Sequence, residues 1–303
     1  MNNEFNNISK NGVTDVLLII AIIIGLIIIG LLSYKMFIYD NKNNDDNKNS
    51  GVVDKDKKWY NDIEVNNVLE IKNFSKSYSN DKIVVDDISL KVDNGDIFGF
   101  VGHNGAGKTT TIKSIVGILS FEKGDILIDG ISIKDNPIAC KKNIAYIPDN
   151  PDLYDHLKGI EYLNFIADVY GISVEKREEL IKKYADIFEI TKNLGDIISS
   201  YSHGMKQKLA IISALIHEPK LYILDEPFVG LDPKATHLLK EIMKEKCKEG
   251  CAFFFSTHIL EVAEKLCNKI AIIKEGKIVI SGEMKKIVKD KSLEDIFLEL
   301  VNE

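Results

Sequence analysis

The chain has 303 residues, 45% hydrophobic and 28% charged, with a formal net charge of −7. That length buries a sizeable core in one large domain or two small ones, and an acidic balance argues against a nucleic-acid partner, whose binders carry a basic face. Cys140, Cys247, Cys251 and Cys267 show no complete metal-ligand pattern and read as reduced thiols.

Residues 1–12 form a short tail. Val16 to Leu32 then reads VLLIIAIIIGLIIIGLL, 17 residues without a charge, of which 14 are Val, Leu or Ile. At 1.5 Å per residue this run spans about 26 Å, and extension over 13–39 reaches bilayer thickness. Its aliphatic residues contribute on the order of −4 to −8 kcal/mol toward insertion. A cleaved signal peptide would want a basic n-region and a small-residue cleavage site. Here Lys10 stands against Glu4 and Asp15, and no A-x-A pattern follows. One transmembrane helix is therefore expected over 13–39. Lys35, Lys42, Lys48, Lys55, Lys57 and Lys58 lie beyond Leu32, which predicts a single-pass protein of the cell membrane with its C-terminal part cytoplasmic. Residues 40–67 combine low hydrophobicity with mixed charge, the composition of a flexible polar linker.

From Val68 strand-like runs appear over Leu69–Lys72, Ile83–Val92, Ile97–Val101, Asp125–Ile128 and Ile144–Ile147. Directly after IFGFV stands GHNGAGKTT, Gly102 to Thr110. A loop of the form G-x-x-x-x-G-K-[ST] wraps its backbone N–H groups around a phosphate, and glycines permit that approach. Gly102, His103, Asn104, Gly105, Ala106 and Gly107 form the cradle, and Thr110 follows it. Lys108 reaches the β- and γ-phosphates, and the Thr109 hydroxyl sits on Mg²⁺. A helix beginning near Lys108 aims its N-terminal amides at the same anion, with Ile112, Ile115, Val116 and Leu119 at helical spacing.

A mainly helical stretch is expected from about His156 to Ser200. YSHGMKQKL follows at Tyr201–Leu209, with a helix over Met205–Ile216. KLYILDEP, Lys220–Pro227, is a buried strand ending in two carboxylates. Asp225 at the strand's edge can hold Mg²⁺ through water, and Glu226 can orient and deprotonate an attacking water. Further strand-like runs lie at Leu221–Leu224, Ala252–Phe255, Lys269–Ile273 and Lys277–Ile280. Apolar strands interleaved with helices imply an α/β fold whose parallel sheet is covered on both faces. SLEDIFLEL, Ser292–Leu300, offers an N-cap and an acidic first turn for a helix in a C-terminal tail over about 283–303.

Together these motifs resemble the ATP-binding subunits of ATP-binding-cassette transporters, most closely those of ABC-2 type exporters. The P-loop, the Leu-Ser-Gly-Gly-Gln-like YSHGM, the strand ending Asp-Glu and a later STH stand in the family's order across residues 68–303. The resemblance implies a P-loop NTPase fold with a mostly parallel core sheet, an antiparallel β subdomain and a helical subdomain over about 150–200. It also implies a head-to-tail dimer with itself or a related ATP-binding subunit, in which one subunit's P-loop and the other's signature enclose ATP and Mg²⁺. Ser202 and the amides around Gly204 would then meet the γ-phosphate. Asp232 in GLDP looks like the residue communicating between the two sites, His258 like the histidine that senses γ-phosphate, and Tyr78 like the aromatic that stacks on adenine. Two positions depart from the family's pattern. His203 replaces the second glycine of the signature, and Asp149 stands where glutamine or glutamate touches the metal's water. The implied function is a motor subunit that hydrolyses ATP and drives a separate multi-spanning permease, docked on the helical stretch. Two alternatives are a regulatory ATPase that moves no substrate, and a membrane-tethered ATP-binding scaffold with little turnover. The N-terminal helix is not usual in this family, and local tethering is its expected use.

Overall fold

The structure, a computed structural model, describes residues 67–78, 82–289 and 291–302. The expected tail, the expected anchor over 13–39 and residues 40–66 of the expected linker lie outside the described residues. Among the described residues no helix is long and apolar enough to cross a membrane. Asn67, assigned above to the linker, is already strand.

The strands are β1 (Asn67–Tyr78), β2 (Lys82–Asp93), β3 (Ile97–Val101), β4 (Lys123–Ile128), β5 (Ile131–Ser132), β6 (Ile144–Ile147), β7 (Leu221–Asp225), β8 (Ala252–Thr257), β9 (Lys269–Lys274) and β10 (Lys277–Glu283). The helices are α1 (Lys108–Ile115), α2 (Pro137–Lys142), α3 (Gly159–Val169), α4 (Val174–Ile187), α5 (His203–His217), α6 (Pro233–Lys248), α7 (Leu260–Leu266), α8 (Met284–Ile287) and α9 (Leu293–Asn302). An antiparallel sheet runs β2-β1-β4-β5, and a six-stranded sheet runs β10-β9-β3-β8-β7-β6. In the latter β9, β3, β8, β7 and β6 are parallel, and only β10 pairs antiparallel, with β9.

Side chains alternate across the six-stranded sheet, so each strand feeds two cores. Ile97 and Val101 join Tyr222, Leu224, Phe253 and Phe255 in a core with the helices. Phe98 and Phe100 join Ile223, Phe254 and Ile273 in a second core with the antiparallel sheet and α1. Burial on both faces explains why IFGFV and LYIL carry no charged residue.

Three expectations needed correction. β1 extends far beyond Lys72, because Asn73 at φ 46° and a register shift between Ile71 and Phe74 break the alternation that marks a strand. β8 runs on through Ser256 and Thr257, polar but buried. Helix α5 starts at His203 rather than Met205, since Ser202 Oγ accepts from Met205 N at 3.3 Å and caps it. The expected stretch comprises α3, α4 and single 3₁₀ turns at Thr191–Asn193 and Ile198–Ser200, and both helices pack on α5, which lies on β6. At the C-terminus the expected cap forms: Ser292 Oγ accepts from Asp295 N at 3.1 Å while Asp295 Oδ2 accepts from Ser292 N at 3.3 Å.

Candidate functional site

Strands β3, β8, β7 and β6 are neighbours and point the same way. Their carboxyl ends therefore open on one crevice, the place where parallel α/β sheets hold ligands. The Gly102–Gly107 loop follows β3, His258 follows β8, Asp225 ends β7, and Asp149 stands two residues beyond β6. A cavity of about 220 Å³ lies there, lined by His103, Asn104, Gly105, Gly107, Lys108, Thr109, Thr110, Asp149, Asp225, Glu226 and Val84. Ala106, also expected in the cradle, is buried beneath the loop and donates its N–H to His103 O at 3.1 Å.

Gly107 turns the loop into α1 at φ 109°, a conformation that side chains resist. Lys108 follows, only 6% exposed. Its Nζ donates to Gly102 O at 2.6 Å and His103 O at 3.2 Å. Burial pushes the ammonium pKa down, while Glu226 and Asp225 pull it back up. With Glu226 Oε1 at 3.9 Å as its one ion pair among the described residues, the ammonium can still take a closer anion such as a phosphate.

Asp225 is 1% exposed. Oδ1 accepts from Ser256 Oγ at 2.5 Å, whereas Oδ2 is buried with no hydrogen-bond partner. Burial holds this carboxyl above the usual carboxylate range, the hydroxyls of Ser256 and Thr109 oppose the shift, and the charges of Asp149 and Glu226 add to it. An orphaned carboxylate oxygen beside a threonine hydroxyl and a second carboxylate is an oxygen-only donor set, and it fits a hard divalent cation such as Mg²⁺. Among the described residues no cluster of three or more His, Cys, Asp or Glu side chains forms a metal cage.

Glu226 occupies the left-handed region at φ 49°, which costs a non-glycine residue about 1 kcal/mol and clusters at functional sites. Its N–H donates to Ser256 Oγ at 3.1 Å. Oε1 lies 3.0 Å from His258 Nδ1 and 3.9 Å from Lys108 Nζ, and Oε2 is buried without a partner. The carboxylate is thus held between a histidine and the P-loop lysine with one oxygen free. Tyr78 also reaches this region: its hydroxyl lies 3.4 Å from Thr110 Oγ1, and the residue is 41% exposed.

Ser202, His203, Gly204 and Asp232 do not line this cavity. They gather instead on one another. The His203 ring lies on Gly230, where an added Cβ would fall 2.4 Å from its Cδ2. Asp232 Oδ1 caps α6 by accepting from Ala235 N at 2.8 Å, and Oδ2 pairs with Lys208 at 2.8 Å. YSHGM and the GLDP turn meet through His203 and Gly230, and neither lines the phosphate-loop cavity of the same chain.

No role falls to two contributors when the motifs are read alone. Ser256 opens STH, yet its service to both Asp225 and Glu226 comes from the sheet register that sets it opposite Asp225. Val84 lines the cavity from β2, nearly twenty residues before the loop. Size alone would mislead: a cavity of about 490 Å³ lies at the opposite end of β3, lined by Gly95, Ile97 and the C-terminal half of α6, away from all of these groups.

Comparison with known proteins agrees with this geometry. The family described as ABC transporter matches residues 85–229. The ABC-type transporter ATP-binding protein EcsA of Bacillus subtilis (strain 168) is 36% identical over 78% of this chain and 97% of its own length. Nod factor export ATP-binding protein I of Cupriavidus metallidurans is 31% identical over 73% of each chain. A solved structure of an ATP-binding subunit of an ABC transporter superposes with a TM-score of 0.75 and 37% identity, covering 77% of this chain and 99% of that one. Identity of this order over nearly the whole of EcsA, on a sheet whose strand ends carry the phosphate loop, the acidic pair and the histidine, establishes that the chain belongs to the ABC transporter ATP-binding proteins.

Proposed function

We propose that the chain is the ATP-hydrolysing motor subunit of an ABC exporter. One observation carries the catalytic part: Glu226 Oε1 sits 3.0 Å from His258 Nδ1 and 3.9 Å from Lys108 Nζ, with Oε2 free. The loop amides and Lys108 bind the phosphates, and Tyr78 stacks on the adenine. Thr109, Asp225 and Asp149 are the groups that hold Mg²⁺, which when bound neutralises phosphate charge. Glu226 accepts the proton of the attacking water as general base, and His258 fixes the orientation of that carboxylate. Burial keeps the acceptor close to its lysine and excludes bulk solvent.

A second copy completes the site. The surface formed by Ser202, His203, Gly204 and Asp232 stands away from the loop of its own chain, which supports a head-to-tail arrangement presenting it to the partner's γ-phosphate. Work on a membrane would pass through the helical region. Tyr154, Phe165 and Val169 are 51%, 45% and 61% exposed, and Tyr154 lies 5.7 Å from Phe165, ring to ring. This apolar patch begins five residues beyond Asp149 and is the docking surface for a separate multi-spanning permease. Likeness to a Nod factor export protein supports the exporter direction. Residues 13–39 anchor the chain, with the ATP-binding domain on the cytoplasmic side.

The test is steady-state ATP hydrolysis by the purified full chain. Glu226→Gln is expected to reduce turnover at least about 10²-fold, while Mg-ATP still binds. Equal rates in the two proteins would remove the catalytic claim.

A further inference from the structure

We infer that Phe297, on the C-terminal helix, is a positioning residue for the phosphate loop, acting through His103. The inference rests on the ATP-binding reading of that loop.

Helix α9 is delivered to one place by ties at both ends. At its start Leu293 is fully buried and its N–H donates to Glu264 Oε2 of α7 at 2.8 Å. Near its end Lys274 Nζ, from β9, donates to Leu300 O at 2.8 Å. Between these ties Phe297 is only 7% exposed. Its ring meets the His103 imidazole with centroids 4.7 Å apart and planes at 58°, within the separation at which aromatic pairs attract.

His103 is a lever on the loop. Its carbonyl accepts from Ala106 N at 3.1 Å and from Lys108 Nζ at 3.2 Å. The same flank is met by the β9–β10 turn, where Gly276 N donates to Ala106 O at 3.0 Å. Between hairpin and loop lies a cavity of about 290 Å³, bordered by Asn104, Gly105, Ile273 and Glu275. Across that open space the Gly276–Ala106 hydrogen bond and the Phe297–His103 contact tie the loop's outer part to β9, β10 and α9. Phe297 does not border the cavity that holds Asp225 and Glu226, so it bears on binding rather than on chemistry. A loop held in place before the nucleotide arrives binds it at lower entropic cost.

The test measures Mg-ATP affinity by calorimetry, and kcat and KM separately, on the purified full chain. Phe297→Ala is expected to weaken binding and raise KM about three- to tenfold, with kcat within about twofold of wild type. Phe297→Tyr, which keeps the ring, is expected to restore affinity, and Leu298→Ala, on the exposed face of the same helix, to leave it unchanged. In the His103→Ala background the Phe297→Ala change is expected to have no further effect. Should Phe297→Ala fail to fold, Phe297→Leu decides the matter, since it keeps the apolar volume and loses the ring contact. Wild-type affinity in Phe297→Ala and Phe297→Leu, or losses that add in the double variant, overturns this inference alone, provided that wild type binds Mg-ATP and Lys108→Ala does not. A wild-type chain with no affinity for Mg-ATP overturns the proposed function as well.

Discussion

His258 Nδ1 lies 3.0 Å from Glu226 Oε1, joining the ends of two adjacent parallel strands, β8 and β7. The histidine side chain is half exposed while the glutamate is 15% exposed, so the contact links the open mouth of the crevice to its buried carboxylate. His258→Ala is expected to lower kcat about 10²-fold or more and to change Mg-ATP affinity less than about threefold. Single-turnover hydrolysis beside equilibrium binding checks this. A large loss of affinity with normal turnover of bound nucleotide would reverse the assignment.

Asp225 poses a trade between stability and function. Its folded pKa is raised, chiefly by burial, above an unfolded value near 3.9. The folded state therefore holds the proton more tightly. Stability without nucleotide falls as pH rises through the folded pKa, because the buried carboxyl resists ionising. Asp225→Asn is expected to gain about 1 kcal/mol, a rise in Tm of about 2–4 °C, and to lose the Mg²⁺-dependent part of stabilisation by ATP. Thermal melts with and without Mg-ATP show both effects. A lower Tm in the nucleotide-free variant would contradict the account.

Gly230 and His203 should be coupled. Gly230 sits at φ 81° with the His203 ring directly over it. Gly230→Ala meets both strain and a collision, and activity is expected to fall at least about tenfold through displacement of the signature. His203→Gly removes the collision, so the double variant should recover part of the loss. Recovery of none of it would show that the two residues act independently.

Lys269 bridges Asp93 at 2.5 Å and Asp96 at 2.8 Å, fastening β9 to the β2–β3 turn. Burial lowers its pKa, but hydrogen bonds to Asp93 and Asp96 outweigh that and hold it above the ordinary lysine value. The stabilisation is fully present below about pH 10.4 and is lost as pH rises through the folded pKa. Lys269→Met is expected to cost about 2 kcal/mol at neutral pH, because Asp96 is left buried without its cation. Denaturant melts should show the gap to wild type narrowing above about pH 10.4. A gap independent of pH would rule the ion pair out as its source.

What the sequence by itself determined is local and covalent. The loop glycines, Lys108 and Thr109 stand in one unbroken run, and β3 and β7 announce themselves as apolar segments because both their faces are buried. The acidic pair follows β7 directly, so its place at a strand's edge needs no long-range knowledge. Ser292 could be read as a cap because capping acts within four residues. Only the tertiary structure decided the rest. It set Ser256 against Asp225 through sheet register, placed Val84 in the cavity, brought the ring of Phe297 onto His103 across nearly two hundred residues, and separated the signature from the loop of its own chain. Register and packing between distant segments depend on how whole faces are buried together, and no short stretch of sequence carries that information.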